Sequence, residues 1–204
     1  EAGATGLLSV TPYYNKPTQE GLYQHYKAIA ESTDLPIIVY NVPGRAGVNI
    51  EPSTLARLAT LPNIIGVKEA SGNISQMVDI CRLVPESFIV LSGDDALTLP
   101  LMAVGGQGVI SVASNEIPAD MVAMVEAALR GDFAAARTVH NRILPIMQVN
   151  FVEANPVPVK SAMAMMGLLE ETYRLPMCPP LPASKERIRR VLQDARLLDP
   201  ALAR

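Results

Sequence analysis

The stretch Ile64-Ile65-Gly66-Val67-Lys68-Glu69-Ala70-Ser71-Gly72-Asn73 reads as a short buried β-strand that delivers a lysine at its C-terminal end and stops on a glycine turn. Pro62-Asn63 before it and Gly72-Asn73 after it bound the run, as expected of a strand covered on both faces. Side chains alternate along a strand, so Ile64, Gly66 and Lys68 are expected to share one face. There the lysine either clears the strand end into solvent or is desolvated. Desolvation penalises the ammonium and lowers its pKa, which is what a lysine needs in order to attack a carbonyl carbon.

Outward from this strand, similar apolar runs are expected as strands at 5–11, 37–42, 88–92 and 109–112. Helices are expected between them: from the Thr18 N-cap to about 32, from Pro52-Ser53 to about 60, over 74–84, and after Gly93-Asp94-Asp95, whose acidic pair suits a helix cap. Gly105-Gly106-Gln107-Gly108 turns into a strand rather than a helix, so it is a poor phosphate cradle. Strands alternating with helices about every 25 residues are the pattern of a parallel α/β fold. An open doubly wound sheet and a (β/α)8 TIM barrel both fit. Tyr14, Tyr40, Arg45, Lys68 and Gly93-Asp94 all fall at or just past C-terminal strand ends. A barrel gathers every such end at one mouth, whereas an open sheet offers only the crevice where strand order reverses. The barrel is therefore the expected fold, here with five strands and lacking about three N-terminal βα units. From Asn115 onward the pattern is helical, with helices expected to about 130 and over 133–149, 158–167 and 184–197. The expected organisation is a barrel portion over 1–131 and a helical C-terminal domain over 132–204. The opening Glu1-Ala2-Gly3-Ala4-Thr5-Gly6 reads as a helix ending and a strand beginning, so the chain is expected to be part of a longer one.

Composition narrows the function classes. The 204 residues are 49% hydrophobic with a net charge of −3, enough for a sizeable core and a poor match to a nucleic-acid partner. Lys185-Glu186-Arg187-Ile188-Arg189-Arg190, the one basic cluster, reads as the wet face of an amphipathic helix rather than a phosphate track. No apolar run is long enough to span a membrane, and the N-terminus is not that of a secretory signal. Cys81 and Cys178 lack metal-type spacing and suit a reduced compartment such as the cytoplasm. His25 and His140 read as ordinary helix residues. With no metal-ligand spacing and no cofactor motif, what remains at the barrel mouth is an amine, two phenols, an arginine and glycine backbone. That set suits imine chemistry on a ketone, with the phenols moving protons and the arginine holding a substrate carboxylate.

Four motifs then become familiar together. Val10-Thr11-Pro12-Tyr13-Tyr14-Asn15, Tyr40-Asn41-Val42-Pro43-Gly44-Arg45-Ala46-Gly47, Gly66-Val67-Lys68-Glu69-Ala70-Ser71-Gly72-Asn73 and Leu91-Ser92-Gly93-Asp94-Asp95 closely resemble the dihydrodipicolinate synthase family. This family belongs to the pyruvate-dependent, Schiff-base-forming aldolases, as do the N-acetylneuraminate lyases, and the likeness runs on through Asn155-Pro156-Val157-Pro158-Val159-Lys160. The resemblance implies a (β/α)8 barrel with a helical tail, and condensation of pyruvate with aspartate semialdehyde on the route to diaminopimelate and lysine. It implies that Lys68 forms the Schiff base, that Tyr40 relays protons beside it, and that Tyr14 completes the relay in a neighbouring subunit of a dimer of dimers. Arg45 would bind the semialdehyde carboxylate, Gly93 and Ile110 would line the pyruvate pocket, and Tyr13 would sit near a lysine-binding inhibitory site. The family's threonine-bearing N-terminal loop has no match in this sequence. A sugar-acid lyase of the same superfamily and a non-catalytic truncated paralogue stay open as alternatives.

Overall fold

The structure, a computed structural model, describes residues 3–198. Glu1 and Ala2, read from sequence as the end of a helix, lie outside the described residues. The elements run β1 (Leu7–Val10), α1 (Gln19–Glu31), β2 (Ile37–Asn41), α2 (Pro43–Ala46), α3 (Pro52–Leu58), β3 (Ile64–Glu69), α4 (Ile74–Leu83), β4 (Ile89–Ser92), α5 (Thr98–Ala103), β5 (Gly108–Val109), α6 (Pro118–Leu129), α7 (Phe133–Val149), α8 (Val157–Met165) and α9 (Pro182–Asp194). The described residues form two compact units, divided between Ile110 and Ser111.

The first unit is one parallel sheet in the order β1-β2-β3-β4-β5, each strand beside the next in sequence. That sequential, all-parallel order is the barrel order of successive βα units, not the reversed order of a doubly wound sheet. The helices start where the local chemistry says they should. Thr18 caps α1 by accepting from the Gly21 amide at 3.2 Å, and Asn73 caps α4 by accepting from the Gln76 amide at 3.2 Å. Pro52 opens α3 where a missing N–H costs nothing. Leu22, Tyr26, Leu55, Leu58, Met77, Ile80 and Leu101 from the helices bury against Ile37, Val39, Ile64, Val67 and Val90 of the strands. Full burial of each large apolar side chain contributes about 1.5–3 kcal/mol, so this layer holds the sheet in place.

Two features differ from the sequence reading. The β2–β3 register shifts between Ile37 and Ile38, so that Ile37 pairs with Ile64 and Ile38 with Gly66. Passing over Ile65 turns Ile64 into the helix-facing core, and only Gly66 and Lys68 keep the other face. The strand β5 is also shorter than the expected 109–112 run, although the Ile110 amide still donates to the Ser92 carbonyl at 2.9 Å. The face carrying Lys68 is less covered than the helix face. Leu8 and Val10, in register with Ile38 and Tyr40, are 50% and 39% exposed.

The second unit is helical. Pro118 opens α6, and Asp132 caps α7 by accepting from the Ala135 amide at 2.9 Å. Arg142 grips Asp120 with two hydrogen bonds of 2.9 and 3.2 Å, tying α7 to α6. Val149, Ala162, Ile188 and Leu192 form the shared core of α7, α8 and α9. In α9, Ile188 is buried while Arg187 and Arg190 are exposed, so the basic cluster is the wet helix face expected. No helix among the described residues is long and apolar enough to cross a membrane.

Candidate active site

The C-terminal ends of β2, β3 and β4 build the site. Register sets Val10, Tyr40, Lys68 and Leu91 in one row across four strands, so Tyr40 and Lys68 are direct neighbours with side chains on the same face. The Lys68 ammonium nitrogen lies 4.3 Å from the centre of the Tyr40 ring. Both groups are half-buried. Burial lowers the Lys68 pKa, the Arg45 charge pushes it the same way, and the Asp95 carboxylate opposes the change. Burial raises the Tyr40 phenol, with Arg45 acting against it, so the phenol keeps its proton and can donate it. An amine biased toward its neutral form beside a protonated phenol is a nucleophile with a proton donor at hand.

Arg45 lies on a structure the sequence did not announce. The Pro43-to-Gly47 segment, just past the end of β2, forms the single helical turn α2. Pro43 opens it, and Gly47 closes it at φ 67° with its amide donating to the Pro43 carbonyl at 2.8 Å. Proline at the start and left-handed glycine just past the end were the available signal. The turn holds Arg45 near enough for its charge to act on both Lys68 and Tyr40.

Gly93 follows β4, its amide donating to the Glu69 carbonyl at 2.7 Å. A Cβ at this position would lie 2.7 Å from the Ala70 Cβ and 3.1 Å from both Cγ and Cε of Lys68. Glycine here leaves the lysine stem its space. Gly93→Ala is therefore expected to displace the Lys68 side chain, lowering the rate of any covalent chemistry at its amine by about 10-fold or more while the protein stays folded. Adduct-formation kinetics alongside thermal unfolding would measure both. Ile110, one strand further, is fixed through its amide to Ser92.

The two remaining sequence candidates lie elsewhere. Tyr13 and Tyr14, in the proline-bounded loop after β1, are 68% and 92% exposed. Neither is held against Lys68 within this chain. Sequence reasoning also missed Asp95. The acidic pair was read as a helix cap, and Asp94 does cap the 3-10 turn at Asp95–Leu97 by accepting from the Ala96 amide at 2.9 Å. Asp95 instead is buried, 1% exposed, and its charge is felt by Lys68.

The chain is 56% identical over 196 residues to the 4-hydroxy-tetrahydrodipicolinate synthase of Koribacter versatilis, an alignment covering 96% of this chain and 65% of that protein. It superposes with a TM-score of 0.94 on the crystal structure of dihydrodipicolinate synthase from Thermotoga maritima, at 50% identity over 96% of this chain and 68% of that one. The chloride-inhibited dihydrodipicolinate synthase of Acinetobacter baumannii, solved with pyruvate, matches at a TM-score of 0.93 and 45% identity, covering 96% and 67%. The chain thus spans about two thirds of the length of these relatives, and its five parallel strands are those of their TIM-barrel fold. The Dihydrodipicolinate synthetase family model matches residues 1–195, and the chain belongs to that family.

Proposed function

We propose that the protein carrying this chain condenses pyruvate with aspartate semialdehyde through a Schiff base to give 4-hydroxy-tetrahydrodipicolinate. The observation that carries the reading is the Lys68–Tyr40 pair, an amine of lowered pKa 4.3 Å from the centre of a phenol ring at adjoining strand ends. The relatives' names and the pyruvate in the Acinetobacter structure support the substrate class. In this reading the Lys68 amine adds to the ketone carbon of pyruvate, the carbinolamine loses water as Tyr40 protonates its hydroxyl, and the protonated imine acidifies the methyl group, whose proton returns to the Tyr40 phenolate to leave an enamine. The enamine carbon bonds to the aldehyde carbon of the semialdehyde, whose oxygen takes a proton, and attack of the substrate amine on the imine carbon closes the ring and releases Lys68. Tyr40 donates and recovers protons in these steps. Gly93 and Ile110 shape the pyruvate pocket, and Arg45 engages the semialdehyde carboxylate.

Tyr14 belongs to the relay of a neighbouring subunit in this reading, and its exposure leaves it available for that. The assembly is a dimer of dimers, and Tyr13 lies near a lysine-binding inhibitory site. Free cysteines at Cys81 and Cys178 support a cytoplasmic setting.

Coupled assays offering aspartate semialdehyde and, separately, sugar acids test the substrate. Turnover with the semialdehyde supports the reading, and turnover only with a sugar acid refutes it. Arg45→Ala sharpens the test. It should raise KM for the semialdehyde by about 10-fold or more, as loss of a charge-assisted bond costs about 1.5–3 kcal/mol, while pyruvate still reacts with Lys68. Removing Arg45 also removes a cation that lowers the Lys68 pKa, so the pH midpoint for imine formation should move up. Loss of pyruvate reactivity instead would refute the role given to Arg45.

A further inference from the structure

Behind the Lys68–Tyr40 row, on the opposite face of the same strands, lies a buried polar network that none of the site roles uses. The next register row joins Asn41 to Glu69, each one residue past its site neighbour and each buried, at 1% and 0% exposure. Apolar residues would serve a helix-facing core position better unless the polar groups were committed. They are. Asn41 Nδ2 donates to Glu69 Oε2 at 2.9 Å and to Asn49 Oδ1 at 2.9 Å, and Asn41 Oδ1 accepts from the Ile50 amide at 3.0 Å. The second Glu69 oxygen accepts from the Ser71 amide at 2.8 Å. Asn49 and Gln76 exchange two side-chain bonds of 2.8 and 3.1 Å, and the Asn49 carbonyl accepts from Gln19 Nε2 at 2.8 Å.

The topology of these bonds is specific. Asn41 leaves the end of β2, and its side chain takes hold of Asn49 and Ile50, so residues 42–48 form a loop closed at its base. Arg45 sits on the helical turn inside that closed loop. The same Asn41 amide is bound to Glu69, the residue after Lys68. One hydrogen-bonded unit thus fixes the base of the Arg45 loop against the strand that carries the lysine.

We infer that Asn41 and Glu69 are positioning residues that set the distance between the Arg45 guanidinium and the Lys68 amine, and so the acceptor the site takes: an aldehyde bearing a carboxylate at a fixed reach from the carbon attacked. This rests on the function proposed above. A site built this way separates its two half-reactions. Pyruvate needs Lys68 and Tyr40, which stay on their strands, whereas the carboxylate of the acceptor needs the loop in register with them.

The test uses the active protein, Asn41→Asp, Glu69→Gln and the double variant. Either single change sets acceptor against acceptor or donor against donor across the Asn41–Glu69 bond. Each should cut kcat/KM for aspartate semialdehyde by about 10- to 100-fold, the cost of a displacement of ~1 Å, mostly through KM, with borohydride-trapped pyruvate adduct retained. The double variant exchanges carboxylate and amide and restores the bond to position 69, while the second bond, to Asn49, returns only if the Asn49 and Gln76 amides turn over together, so it should recover part of the loss. Asn49→Ala, at a less buried position, should give the same split if the single changes fail to fold. Unchanged kcat/KM in folded variants overturns the inference alone, as does parallel loss of adduct and turnover. Absence of a pyruvate adduct in the unaltered protein overturns the proposed function itself.

Discussion

Lys68→Ala is expected to leave no reduced pyruvate adduct on the protein and to lower turnover at least ~10^4-fold, since removing a covalent nucleophile outright has cost about 10^6 where it has been measured. The fold should survive. Lys68 is half-buried, its neighbours are the Tyr40 ring and the Gly93 backbone, and the substitution removes an amine whose charge is already disfavoured by burial. Thermal unfolding should shift by no more than about 1 kcal/mol, against the 2–5 kcal/mol of an apolar core truncation. Substantial turnover remaining in Lys68→Ala would remove the lysine from the mechanism.

Tyr40→Phe is expected to have the second largest effect. The ring would remain against Lys68 and only the hydroxyl would go, so packing and the lysine environment are nearly preserved while the proton donor is lost. A positioned acid–base group contributes about 10^2- to 10^4-fold, and kcat should fall by that order. Adduct formation with pyruvate should slow as well, because dehydration of the carbinolamine needs a proton delivered to the leaving hydroxyl. Stopped-flow kinetics of adduct formation beside steady-state kcat would show both. A kcat within about threefold of the parent would contradict the assignment of Tyr40 as the relay, because a positioned acid–base group is worth far more than that.

Much of this was legible in the sequence, and for identifiable reasons. Strands were found because Ile37-Ile38-Val39 and Ile89-Val90-Leu91 are apolar runs bounded by proline, glycine or polar turns, and helices because Thr18 is a strong N-cap and Pro52 a favoured first helical residue. That Lys68 and Tyr40 share one mouth followed from both standing at strand ends in a parallel sheet, while their direct pairing was implied only by the family resemblance. What failed depended on things periodicity does not carry. The register shift that turned Ile64 into the core is a property of the pairing with β2, not of the β3 sequence. The turn around Arg45 is too short to show a helical repeat, and only its proline and left-handed glycine mark it. Asp95 looked like a cap because Asp94 is one; which of the two turned inward was decided by the fold around them. The Asn41–Glu69 network joins residues 28 positions apart through polar side chains inside apolar strands. Such residues can be flagged from sequence, but their partners come only from the register.

Borohydride reduction in the presence of pyruvate, followed by peptide mass spectrometry, tests the central claim most directly. The account predicts a reduced pyruvate adduct confined to the peptide containing Lys68, formed faster as pH rises through a lysine pKa held below its ordinary value of 10.5. An unmodified Lys68 in folded protein, or an adduct carried by a different lysine, would contradict it.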